Sequence, residues 1–235
     1  MIVCIILMCL GVIALTFFLI EKVKKYSVKA VFIKSVASLL FISLATYCYL
    51  SKTLTIMGLC FILALVCGLL GDIFLDLKYV YREDDKPYTY AGFIAFSIGH
   101  IFYVTGLYTQ YFNNGHVLYI IIPAVLSVLV GIGNVFLGKL IKQDYKDMKF
   151  MVGLYSTLLF FMLSSAFSLW MLHGFNSTTL LMIFIGGVLF AISDFILGGT
   201  YFGVNRERPI DIISNSVTYY AAQNIIAFSL FFVVI

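Results

Sequence analysis

Two aspartates lie where a carboxylate is costly. Asp72 interrupts the apolar stretch Gly68-Leu69-Leu70-Gly71-Asp72-Ile73-Phe74-Leu75, and Asp194 sits in Gly187-Val188-Leu189-Phe190-Ala191-Ile192-Ser193-Asp194-Phe195-Ile196-Leu197. Each stretch belongs to a run long enough to cross a bilayer. An acidic residue there costs about 2.5–3.5 kcal/mol on insertion scales, which makes it a functional candidate. Lys34, His100, Tyr155, Tyr220 and Gln223 interrupt other apolar runs. Several chemistries suit the set. A lysine that neutralises one carboxylate leaves a charged and a neutral carboxyl group in one pocket, a base and an acid. Lys34 could equally hold a phosphate. Asp72, His100 and Asp194 could ligate a hard divalent ion, but no ligand-pair motif such as HExxH accompanies them, and no metal is assigned. For each residue alone, a structural hydrogen bond or ion pair is the competing reading.

The elements that must position these groups follow from composition. The chain of 235 residues is 63% hydrophobic and 11% charged. A soluble domain is closer to 45–50% apolar and about 25% charged, so the fold class is all-α, a polytopic transmembrane bundle. A closed barrel would show short alternating segments instead of near-continuous apolar runs. Eight runs can be counted, at roughly 2–20, 28–50, 54–76, 89–110, 117–138, 150–172, 179–201 and 213–235, joined by short connections into a single integral membrane domain over 1–235. The first run lacks a basic leading region and a cleavage site, and reads as a retained helix. The five cysteines all fall inside apolar runs and read as small apolar residues, not as a disulfide framework. The formal charge of +4 does not point to nucleic acid, because the basic residues sit in short loops.

Of the fifteen Lys and Arg residues, all but Lys34 and Lys52 fall in or beside the odd-numbered loops: Lys22 to Lys29, Lys78 to Lys86, Lys139 to Lys149, and Arg206 with Arg208. The positive-inside rule makes these loops cytoplasmic and both termini non-cytoplasmic. Lys34, Asp72, Asp194, Gln223 and His100 then share a band roughly 6–17 Å below the cytoplasmic surface, at 1.5 Å per helical residue, with Tyr155 and Tyr220 in it. Asp76, one turn beyond Asp72, reads as interfacial. Gly92, Phe96, Gly99, His100 and Tyr103 form one helical stripe, and Gly186, Phe190, Ser193, Asp194 and Leu197 another. Gly68, Gly71 and Gly99 let such stripes approach closely. Pro123 bends or begins the fifth helix. A faint duplication of two four-helix halves is suggested by similar spacings, Asp72 to His100 and Asp194 to Gln223.

These residues resemble the lysoplasmalogenase (YhhN-type) family of eight-helix membrane proteins. The resemblance rests on Gly71-Asp72, on Gly92, Phe96, His100 and Tyr103, on Gly187, Phe190, Ser193, Asp194 and Leu197, and on Tyr219, Tyr220 and Gln223. Lys34 stands where the family carries a lysine, without the proline usual after it. The resemblance implies an ether hydrolase that cleaves the vinyl ether of a lysophospholipid held in the bilayer, with Asp72 and Asp194 catalytic and no cofactor. Asp194 is assigned as the acid and Asp72 as the base, the reverse remaining open, and His100 or Tyr220 orients water or the departing hemiacetal. Tyr103, Tyr155, Ser193, Tyr219 and Gln223 complete the substrate site, while Lys34, with Arg206 or Arg208, receives the phosphate. The competing functions are a proton-coupled transporter and a lipid-binding or sensing protein. The expected location is a multi-pass position in a membrane, the plasma (inner) membrane if the source is bacterial.

Overall fold

Each apolar run forms one long helix in the computed structural model, which describes residues 1–24, 27–52, 54–113, 115–138, 140, 142–203 and 208–233. The helices are α1 (Ile2–Lys24), α2 (Val28–Ser51), α3 (Ile56–Val80), α4 (Asp85–Tyr111), α5 (Leu118–Leu137), α6 (Lys149–Leu172), α7 (Thr178–Phe202) and α8 (Pro209–Ser229). No strand occurs among the described residues. Among the described residues, seven helices are long and apolar enough to cross a membrane. The eighth falls short because Asp211, Asn215, Gln223 and Asn224 dilute its apolar residues. Lys25, Lys139 and Arg206, on which part of the charge asymmetry rests, lie outside the described residues, as do the last two residues of the eighth run.

Several helices overrun their apolar run by one turn. α1 continues to Lys24 and α3 to Val80, while α4 starts at Asp85 and α8 at Pro209. Hydropathy marks where an apolar solvent ends, whereas the hydrogen-bond ladder continues past it, at the end of α1 through Glu21, Lys22 and Lys24, residues of good helix propensity. The starts are encoded locally. Ser27, Thr55 and Ser177 precede α2, α3 and α7, and their side chains accept from the backbone N–H of Ala30, Gly58 and Leu180 at 3.2, 3.0 and 3.3 Å, each satisfying one otherwise unpaired donor. Pro209 opens α8, where its missing N–H removes no helix bond.

Pro123 lies well inside α5, so it does not begin that helix. Its ring nitrogen cannot bond the carbonyl of Tyr119, one turn earlier. The Tyr108 and Ser168 hydroxyls, from α4 and α6, both donate to that oxygen at 3.1 Å. A backbone acceptor left open by the proline thus becomes a junction of three helices.

Six helices enclose the interior as a ring in the order α2, α3, α4, α6, α7, α8, with α1 outside against α2 and α8, and α5 outside against α6. The outer helices expose apolar side chains along much of their length. Close approach depends on glycine at two points. On α4, a Cβ at Gly99 would stand 3.1 Å from the carbonyl oxygen of Ala64 on α3. On α5, a Cβ at Gly131 would stand 2.8 Å from the carbonyl oxygen of Gly153 on α6 and collide with Thr157. Two residues on, a Cβ at Gly133 meets nothing within 4 Å. Gly131→Ala is therefore expected to destabilise by about 1–3 kcal/mol through overpacking, while Gly133→Ala is neutral or stabilising by up to about 1 kcal/mol. Thermal unfolding of both variants in detergent checks the pair, and equal melting temperatures contradict this account of the α5–α6 contact.

Candidate active site

Two of the ring helices supply the centre of a buried ionic cluster. Lys34 on α2 places its Nζ 3.0 Å from Asp72 Oδ1 and 3.6 Å from Asp76 Oδ2, both on α3. Lys22, in the last turn of α1, pairs with Asp76 Oδ1 from the other side. Asp72 and Asp76 are only 3% and 4% exposed. Two ammonium groups thus face two carboxylates, which satisfies the requirement that buried charge be paired. Asp76 is therefore not interfacial as its position at the end of the run suggests. One turn separates it from Asp72, so both face inward on the same side of α3. Nor is Lys22 a loop residue; its ammonium packs over the rings of Phe18 and Tyr79 at 5.2 and 5.5 Å.

Hydroxyl groups hold Asp72 from the remaining directions. Ser38 Oγ, one turn after Lys34, donates to Oδ2 at 2.8 Å, and Tyr219 OH on α8 donates to the same oxygen at 3.0 Å. Tyr219 OH accepts from Gln223 Nε2 at 3.1 Å, and Gln223 Oε1 accepts from Tyr103 OH at 3.1 Å. A relay of Tyr103, Gln223 and Tyr219 thus orients the Asp72 carboxylate from α4 and α8. Tyr220 OH lies 2.9 Å from Ser38 Oγ and 3.1 Å from the carbonyl oxygen of Lys34, fixing α2 against α8.

Asp194 on α7 has different company. Its Oδ2 accepts from Tyr155 OH on α6, and no ion pair joins it to a cation among the described residues. Neighbouring Ser193 and Asn215 of α8 lock the α7–α8 contact: Asn215 Nδ2 donates to the Ser193 carbonyl and hydroxyl oxygens at 2.8 and 2.9 Å.

Asp72 and Asp194 line one small cavity of about 40 Å³ together with Lys34, Tyr155, Tyr219 and Tyr220. A water needs about 10–15 Å³ of such space and two or more polar partners, so the cavity has room for a water. Phe93, Tyr155, Asp194, Leu197 and Tyr201 also border a second, larger cavity of about 820 Å³ between α5, α6 and α7. Asp194 stands at the junction of a polar chamber and an apolar one.

Of the residues singled out from sequence, Lys34, Asp72, Tyr155, Ser193, Asp194, Tyr219 and Tyr220 line the polar cavity. Tyr103 and Gln223 stand one layer back and reach it through Tyr219. His100 does not line it. Phe96, one turn earlier on α4, occupies the wall and packs its ring on Tyr155, Phe190 and Tyr219. His100 lies beyond, 1% exposed, with its ring 5.1 Å from Phe190 and 5.5 Å from Tyr155, and neither ring nitrogen finds a hydrogen-bond partner among the described residues. Arg208 is exposed and forks onto Asp211 at 2.7 and 3.0 Å, away from the cavity; Arg206 lies outside the described residues. Sequence reasoning missed Lys22, Asp76, Ser38 and Asn215. Among the described residues no group of three His, Cys, Asp or Glu side chains is arranged to hold a metal ion.

A ring of long apolar helices around a buried carboxylate chamber defines a polytopic helical bundle of membrane type with an internal polar site. The chain belongs to the YhhN family, whose model matches residues 29–230. That match takes in every lining residue named here except Lys22, which lies ahead of it on α1. No curated protein and no solved structure matches the chain.

Proposed function

We propose that this protein is a membrane-embedded hydrolase that cleaves the vinyl ether bond of lysoplasmalogens. The products are a fatty aldehyde and glycerophosphoethanolamine or glycerophosphocholine. Membership of the YhhN family supports the reading. The observation that carries it is the unlike company of two carboxyl groups in one cavity: Asp72 paired with Lys34, and Asp194 hydrogen-bonded to Tyr155 with no cation partner among the described residues.

Vinyl ethers hydrolyse by protonation of the carbon distal to oxygen, which leaves an oxocarbenium ion for water to capture. The carboxyl group without a cation, Asp194, is suited to hold the proton and deliver it to that carbon as general acid. The carboxylate paired with Lys34, Asp72, faces the cation so formed and stabilises it electrostatically. A water in the polar cavity attacks the cationic carbon and passes one proton to Asp72, giving a hemiacetal. As the hemiacetal collapses, its hydroxyl proton returns to Asp194 and Asp72 protonates the departing glycerol oxygen. One water is consumed, both carboxyl groups recover their starting states, and no step draws on a cofactor. The roles parallel the carboxyl pair of glycosidases, which act through a related cation. Tyr155 and Tyr219 act as positioning residues. Lys34 serves as counter-ion to the base, since both of its carboxylate neighbours stand within 3.6 Å, a role different from phosphate binding. With the odd loops cytoplasmic, the chamber lies just below the headgroups of that leaflet, where a bilayer-resident substrate presents its ether bond.

The test uses purified protein in detergent with a lysoplasmalogen and, in parallel, its saturated alkyl ether and ester counterparts. Aldehyde from the vinyl ether, with the other two untouched, is expected. Failure to release aldehyde from a folded sample across pH and both headgroups would overturn the proposal and leave the chamber to transport or lipid sensing.

A further inference from the structure

The larger cavity is a cleft open on the outside of the bundle. α5 packs along α6 and makes no comparable contact with α7, yet both border the cleft. It runs along α5 from Leu137 to Leu126, and along α6 from Val152 to Leu163. Eleven residues at 1.5 Å each give a length of about 16 Å. Its walls divide into two regions. At the end nearest the lysine-rich loops stand Asn134, Gln143, Tyr145 and Ser156. Tyr145 OH donates to Gln143 Oε1 at 2.7 Å, and Asn134 Nδ2 donates to Ser156 Oγ at 2.7 Å. Beyond Asp194 the lining is apolar, with Leu129, Leu163, Val188 and Ile192. Leu129, Ile192 and Phe195 are also exposed on the outer surface, so the cleft communicates with the surroundings of the bundle.

We infer that this α5–α6–α7 cleft is the binding groove for the single alkyl chain of an amphiphile, with its glycerol end held at Asn134, Gln143 and Tyr145. The inference deepens the proposed function and rests on it for the identity of the head end. Polarity and size select the occupant. The volume lies in the range of about 300–1,000 Å³ usual for small-molecule sites. One polar end, one apolar end and a side opening match a lipid that enters sideways from the membrane. Asp194 sits where the two regions meet, and this sets the register: the bond between head and chain comes to rest against the carboxyl group. From Asp194 to Val188 the groove continues about 9 Å along α7, so it seats the head-proximal part of the chain and leaves the remainder in lipid.

Gly133 provides the test, because it borders the cleft and a Cβ there meets no neighbour within 4 Å. Gly133→Phe should fill the groove without displacing a helix, and Ile132→Phe, at an exposed position beside it that does not border the cleft, is the control. The probe is a saturated alkyl-ether lysophospholipid carrying a diazirine in the first part of its chain, photolysed on the full-length protein in detergent, with adducts mapped by mass spectrometry. Labelling is expected at Leu129, Leu163, Val188 and Ile192, competed by unlabelled lysolipid, reduced several-fold in Gly133→Phe and unchanged in Ile132→Phe. Labelling spread over the exposed faces of α1 and α5 without competition, or equal in the two variants, overturns the groove. The binding readout is separate from turnover. Groove labelling without aldehyde release refutes the hydrolase and keeps the chain site, whereas aldehyde release with labelling elsewhere does the opposite.

Discussion

Replacing Asp194 by asparagine is expected to reduce aldehyde release by about 10²–10⁴-fold, the range for loss of a general acid, with the fold intact. Asparagine keeps the shape of the side chain, and its carbonyl oxygen can still accept from Tyr155 OH, the one hydrogen bond Asp194 makes among the described residues. No ion pair is lost. What disappears is the transferable proton. Initial rates with a lysoplasmalogen, alongside gel filtration and thermal unfolding, separate the two effects. Tyr155→Phe should fall by less, since it removes the group that orients Asp194 and leaves the carboxyl group in place. Run in D2O, the wild-type reaction should deposit one deuterium on the carbon next to the aldehyde, where the acid delivers its proton. Near-normal turnover by a folded Asp194→Asn would remove this residue from the mechanism.

The eight helices were legible because about 20 consecutive apolar residues leave few alternatives, and the carboxylates stood out because they are costly there. The members of the site that were overlooked share a simple pattern. Ser38 follows Lys34 by four residues, Asp76 follows Asp72 by four, and Asn215 precedes Tyr219 by four. Each therefore lies on the same helical face as a residue already singled out. Asp76 reads as interfacial from its place at the end of an apolar run, yet helix direction, not run length, decides where its carboxylate points. Lys22 carried no such signal, since only the packing of α1 beside α2 and α8 turns a terminal lysine into a partner for Asp76. His100 failed the opposite way. Its stripe does face the interior, but a stripe several turns long passes more than one layer, and Phe96 holds the position at the cavity. The cleft was illegible because it arises from where α5 does not pack, which no local pattern records.

Lys34→Met should destabilise the bundle by about 3–5 kcal/mol, the cost of breaking a buried ion pair and leaving one member behind. In the intact protein two lysines pair with two carboxylates; without Lys34, Lys22 still pairs with Asp76, and Asp72 is left with the Ser38 and Tyr219 hydroxyls among the described residues. The double variant Lys34→Met/Asp72→Asn removes both charges and should regain most of the lost stability, because coupling between directly paired groups makes their effects non-additive. It should stay inactive, since the base is gone. The melting temperatures of the single and double variants in detergent form the cycle. This cycle also separates the two roles open to Lys34 from sequence. A phosphate-binding lysine, once removed, raises KM with little change in kcat or melting temperature. A counter-ion, once removed, takes the melting temperature and kcat down together, and the melting temperature returns with Asp72→Asn. A stable Lys34→Met with raised KM alone would reassign the residue to the headgroup.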